Sequence, residues 1–145
     1  MTAKEYLQQL QRLDIMINHK AKELDTLRLQ TQSIRSIDYS KERVQTSFSG
    51  DASFVKLMER ITDLQAEINE EVDKYVDEKH KIINQIHSLQ NVNYISILFK
   101  RYVEFKKFES IAIEMDFTYD HIRHLHGCAL QDFQNKILNL THKNT

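Results

Sequence analysis

No proline occurs anywhere in the 145 residues, and only two glycines do. Proline locks φ and lacks a backbone N–H, so it is the residue that most reliably ends a helix. A chain without it, rich in Leu, Ile, Lys, Glu and Gln, can run long helices unbroken. The expectation is an all-α fold with helix content well above the usual third.

Two apolar seams support that reading. In residues 3–30, Leu10, Leu13, Ile17, Leu24 and Leu27 fall at alternating three- and four-residue steps, with Lys20 in one slot. In residues 52–90 the seam is Ile61, Leu64, Ile68, Val72, Tyr75, Ile82, Ile86 and Leu89, with Lys79 in one slot and a mean step of 3.5 residues. Both are coiled-coil-like heptad patterns. The second helix is about 58 Å long at 1.5 Å per residue, too long for a small domain to bury. It must pair with the first helix as a long antiparallel helical hairpin, with a second copy of the chain, or with both. Lys20 and Lys79 either specify register or reach out along the helix to solvent. The Ser- and Thr-rich stretch 31–53, which holds Gly50, reads as a loop, with Asp51 or Ser53 as a cap for the helix beyond it.

After Asn91-Val92-Asn93 the pattern changes to three short amphipathic segments: 94–104, 108–115 and 119–140. The expected domains are therefore 1–91, a hairpin for dimerisation or partner binding, and 92–145, a three-helix helix-turn-helix domain. Ile95, Leu98, Phe99, Ile111, Ala112, Ile122, Leu125, Ala129 and Phe133 are its expected core.

Charge and composition exclude several classes. The net charge is −1, from balances of +2 in residues 1–50, −4 in 51–92 and +1 in 93–145. No strong basic excess advertises nucleic acid, so a DNA-binding face must be local. The single cysteine, Cys128, precludes an intrachain disulfide. No apolar leader or run of 18 apolar residues is present, which predicts a cytoplasmic chain with no membrane partner.

The segment from Phe108 to Lys136 has the features a helix-turn-helix needs. Ala112 is small enough for a close helix crossing, and Asp116-Phe117-Thr118 makes a tight turn. Thr118 can cap the next helix, and Ile122 and Leu125 give it two core residues three apart. Tyr119, Asp120, Arg123 and His124 then point away from the apolar cluster. Arginine can read guanine or grip a phosphate there. His121, His124 and Cys128 share a face at i, i+3 and i+7, but no second segment offers a fourth zinc ligand, so neither metal nor cofactor is expected. Nothing orients a histidine toward Cys128 as a nucleophile, and no enzyme is expected.

The stretch from Lys107 to Leu130, with Arg101-Tyr102 before it, resembles region 4 of sigma-70 factors. Together with Leu7–Leu29, Glu42-Arg43-Val44-Gln45-Thr46-Ser47, Ile61–Leu89 and Arg123-His124-Leu125-His126-Gly127, it resembles the ArpU-like late-gene transcription regulators of bacteriophages and prophages. That resemblance covers nearly the whole chain. It implies a sequence-specific regulator of transcription that binds double-stranded DNA, with Thr118, Tyr119, Asp120, His121, Arg123 and His124 as DNA-binding residues. The chain departs from the family pattern at Asp116, where a turn glycine is usual, at Phe108, where Trp is common, and at Cys128, where a basic residue is common. The implied partners are duplex DNA, a second copy of the chain through the hairpin, and bacterial RNA polymerase. The alternative is a coiled-coil adaptor or inhibitor whose sigma-like domain binds polymerase or another protein.

Overall fold

The computed structural model of the chain describes residues 1–38 and 48–140, with side chains at 1–34 and 52–140. It is all-helical over these residues. The helices are α1 (Ala3–Asp38), α2 (Phe48–His87), α3 (Val92–Leu98), α4 (Phe108–Met115) and α5 (Tyr119–Phe133). Wider π turns continue α3 through Phe99–Val103 and α5 through Gln134–Leu138.

Helix ends follow local chemistry. Thr2 and Glu5 close a capping box at the start of α1: the Thr2 N–H donates to Glu5 Oε2 at 2.9 Å and the Glu5 N–H donates to Thr2 Oγ1 at 3.2 Å. The first of these bonds holds the Glu5 carboxyl below its ordinary range. Asn91 caps α3, its side-chain oxygen accepting from the N–H groups of Asn93 and Tyr94. Both long helices overrun the expected loop at 31–53. Ser and Thr weaken a helix only slightly, and without proline nothing stops α1 before Asp38 or delays α2 beyond Phe48. Asp51 and Ser53 thus lie inside α2 and do not cap it. The rest of that loop, and the 42–47 segment that contributes to the family resemblance, lie outside the described residues.

The chain divides into two compact units, residues 15–74 and residues 1–14 with 75–145. The division is not the one expected at 91/92. In the unit of 15–74, Leu24, Ile61 and Leu64 are buried, with Leu27, Leu57 and Ile68 packed against them. Lys20 does not reach out to solvent. It pairs with Glu71 at 2.5 Å and Glu67 at 3.6 Å, and Arg60 pairs with Glu23 at 3.1 Å. Numbers that rise along α1 meet numbers that fall along α2. These half-exposed pairs set register more than they stabilise.

The other unit explains why the chain does not part at 91. Its single core takes Ala3, Leu7 and Leu10 from α1 and Ile82, Ile86 and Leu89 from the end of α2 and its last turn. These pack with Ile97, Leu98, Tyr102, Val103, Ile111, Ala112, Ile122, Ala129 and Phe133. Three short helices alone bury too little surface. Each Leu or Ile buried there contributes about 1.5–3 kcal/mol. Polar ties reinforce the joint: the Tyr6 hydroxyl donates to Gln85 Oε1 at 2.7 Å and the Ala3 N–H donates to Gln134 Oε1 at 2.6 Å. Lys79 in this unit lies over the Tyr75 ring, its ammonium 5.7 Å from the centroid.

Candidate nucleic-acid interface

Between α4 and α5 the chain turns in three residues. Asp116 takes the left-handed conformation, φ 58° and ψ 43°, as the C-cap of α4. Its N–H donates to the Ile113 carbonyl at 3.3 Å and the Phe117 N–H donates to the Ala112 carbonyl at 3.0 Å. This is a Schellman closure made without glycine. Asp tolerates the left-handed region better than most residues, which is why the turn closes here without glycine. Thr118, extended at φ −71° and ψ 157°, then caps α5, its Oγ1 accepting from the His121 N–H at 3.2 Å. Ile111 and Ala112 of α4 and Ile122 of α5 are buried where the helices meet.

The six candidate residues do not form one face. Thr118 is committed to capping. Tyr119 sets its ring against the edge of Phe108, 6.4 Å between centroids at 81°, and Arg123 lies over the Tyr119 ring at 5.8 Å. His121 sits edge-on to Phe117 at 4.8 Å. Arg123 is two positions farther along, about 160° around the helix. Asp120 and His124 are exposed between these flanks. His124 Nε2 lies 3.7 Å from Cys128 Sγ. Among the described residues no group of three His, Cys, Asp or Glu is placed to hold a metal ion.

Arg123 opens instead onto a cleft of about 260 Å³ lined by Lys4, Gln8, Arg101, Tyr102, Phe108 and His126. Arg101 lies over Phe108, its guanidinium carbon 4.4 Å from the ring centroid, and its Nη1 donates to the Lys106 carbonyl at 3.0 Å. The π turn brings Arg101 here: the Glu104 N–H donates to the Phe99 carbonyl at 3.1 Å, one residue farther back than in an α-helix. The connector that follows holds Phe105 at φ 58°, a costly conformation for an aromatic residue. His126 meets the Tyr102 hydroxyl at 2.7 Å and the edge of Phe108 at 4.8 Å. Burial pushes its pKa down to about 4, and the charges of Arg101 and Lys4 add to that. Burial also pushes Tyr102 up to about 12.

Carboxylates neutralise much of the nearby positive charge. Lys100 pairs with Glu114 at 3.1 Å, Lys106 with Glu104 at 2.8 Å and Glu114 at 2.6 Å, and Lys136 with Asp132 at 3.2 Å. Among the described residues no carboxylate pairs with Lys4, Arg101 or Arg123. Sequence reasoning singled out Arg123 alone of these three. Lys4 lies 119 positions before it, and no local spacing links them.

No protein-family model, curated protein or solved structure matches the chain. Among the described residues, no helix is long and apolar enough to cross a membrane.

Proposed function

We propose that the chain binds double-stranded DNA and regulates transcription without catalysis. In this reading α4 and α5 form a helix-turn-helix, with α5 entering the major groove, and α1 and α2 form the helical hairpin that precedes it. The observation that favours it most is the Thr118-capped α5, which leaves Asp120, Arg123, His124 and Gly127 exposed after a three-residue turn. Gly127 has open space where a Cβ would stand, so a backbone or base edge can approach closely at that point. The likeness of Lys107–Leu130 to sigma-70 region 4, and of the chain to the ArpU-like phage regulators, adds the proposed transcriptional role.

A second copy of the chain is the proposed partner for the unit of 15–74, where Ile15, Leu29, Val55 and Met58 lie exposed. A dimer would offer two copies of α5 to a symmetric site.

One observation favours the adaptor reading. Ile113 on α4 is 82 % exposed, which suits a protein contact. The two readings part on salt. Retention on a duplex column that falls steeply between 50 and 200 mM salt supports DNA binding. No retention at 50 mM, with polymerase binding that Ile113→Glu abolishes, supports the adaptor.

A further inference from the structure

Three cations from separate parts of the chain converge on one small cleft. Lys4 comes from the first turn of α1, Arg101 from the π turn after α3, and Arg123 from α5. No carboxylate lines the cleft and none pairs with the three cations among the described residues, whereas nearby Lys100 and Lys106 each have a carboxylate partner. Like charges gathered without a counter-charge repel one another, and an anion relieves that repulsion. Arg101 uses one N–H on the Lys106 carbonyl and keeps others for a ligand. Guanidinium forks match the geometry of phosphate oxygens. A volume of about 260 Å³ is below the range of drug-sized ligand pockets and suits a phosphate group. The floor of Tyr102, Phe108 and His126 is packed and partly buried, so the cations are held on a rigid base.

We infer that this cleft is a phosphate site, filled by a backbone phosphodiester of the bound duplex, and that Lys4 makes the first turn of α1 part of the DNA-contacting surface. The inference rests on the DNA-binding reading for the source of the phosphate, and on the cleft alone for its chemistry. Phosphate contacts place a protein on the duplex without reading sequence. Lys4 and Arg101 therefore set affinity and register, while Asp120 and His124 remain to meet base edges.

The test uses the full chain, its Lys4→Gln variant and, as a control for lost charge, Lys56→Gln on α2. Lys4 is exposed, so its loss leaves the fold intact. Affinity for duplex DNA is measured from 50 to 200 mM salt. The expected result is a log–log slope shallower by about 1 in Lys4→Gln, the same sequence preference, and no change in Lys56→Gln. A wild-type chain that binds duplex, with Lys4→Gln of equal slope and affinity, overturns the cleft and leaves the DNA-binding reading standing. If the wild type binds no duplex, that reading falls, and a thermal shift with sodium pyrophosphate decides the cleft. A rise in Tm in the wild type but not in Lys4→Gln keeps it as a site for free phosphate; no rise in either overturns it.

Discussion

The Tyr102 hydroxyl lies 2.7 Å from Nε2 of His126, tying the π turn after α3 to the middle of α5. Burial holds His126 neutral, with its pKa pushed from the ordinary 6.5 to about 4. The unfolded chain therefore takes up this proton first as pH falls. The neutral ring's contribution to stability is complete above pH 6.5 and is lost as pH drops through about 4. An NMR titration should show the His126 ring titrating well below the ordinary 6.5. A midpoint near 6.5 would mean that the ring is not packed between Tyr102 and Phe108.

Leu7 is fully buried in the same core as Ile97, Ile122 and Phe133. Leu7→Ala should cost about 2–5 kcal/mol in urea unfolding. A fragment of residues 92–145 lacks Leu7, Leu10, Ile82, Ile86 and Leu89, and its circular dichroism at 10 °C should show no cooperative melt. This reverses what the change of pattern at Asn91–Asn93 suggests. A fragment that melts cooperatively would restore that boundary.

Asp116 occupies the left-handed region at φ 58°. Asp116→Gly removes the Cβ penalty and should stabilise the chain by about 1 kcal/mol, seen as a higher urea midpoint. Asp116→Val should destabilise it by more than that. Equal midpoints for all three would show that the turn is not left-handed in solution.

Val55 and Met58 are exposed on α2, 53 % and 40 % respectively. If a second copy covers them, Val55→Glu with Met58→Glu should convert a micromolar dimer to monomer in sedimentation equilibrium. A wild-type monomer of 17.3 kDa at that concentration would rule out the dimer.

What the sequence made legible follows from the range of each interaction. Helices without breakers, the Asp116 turn and the Thr118 cap depend on neighbours within four residues, and each was readable. The seams were readable as apolar stripes, but their division of labour was not. Ile61 and Leu64 serve one unit, Ile82 and Ile86 the other, and Val72 between them is exposed. Nothing in a regular period marks where one core ends. The cleft was hidden for a further reason. Its cations come from three separate parts of the chain, and only a π turn brings Arg101 to the right side. His126 was visible only as one residue of the Arg123-His124-Leu125-His126-Gly127 segment.

Whether α5 reads duplex DNA is decided by selection from a random duplex pool with the full chain. A defined sequence should be enriched. Arg123→Ala, with an unchanged circular dichroism spectrum, should bind the selected site more weakly by about 1–3 kcal/mol. A pool that remains random after repeated rounds at 50 mM salt, or an Arg123→Ala variant that binds the selected site as tightly as the wild type, would show that α5 does not read DNA.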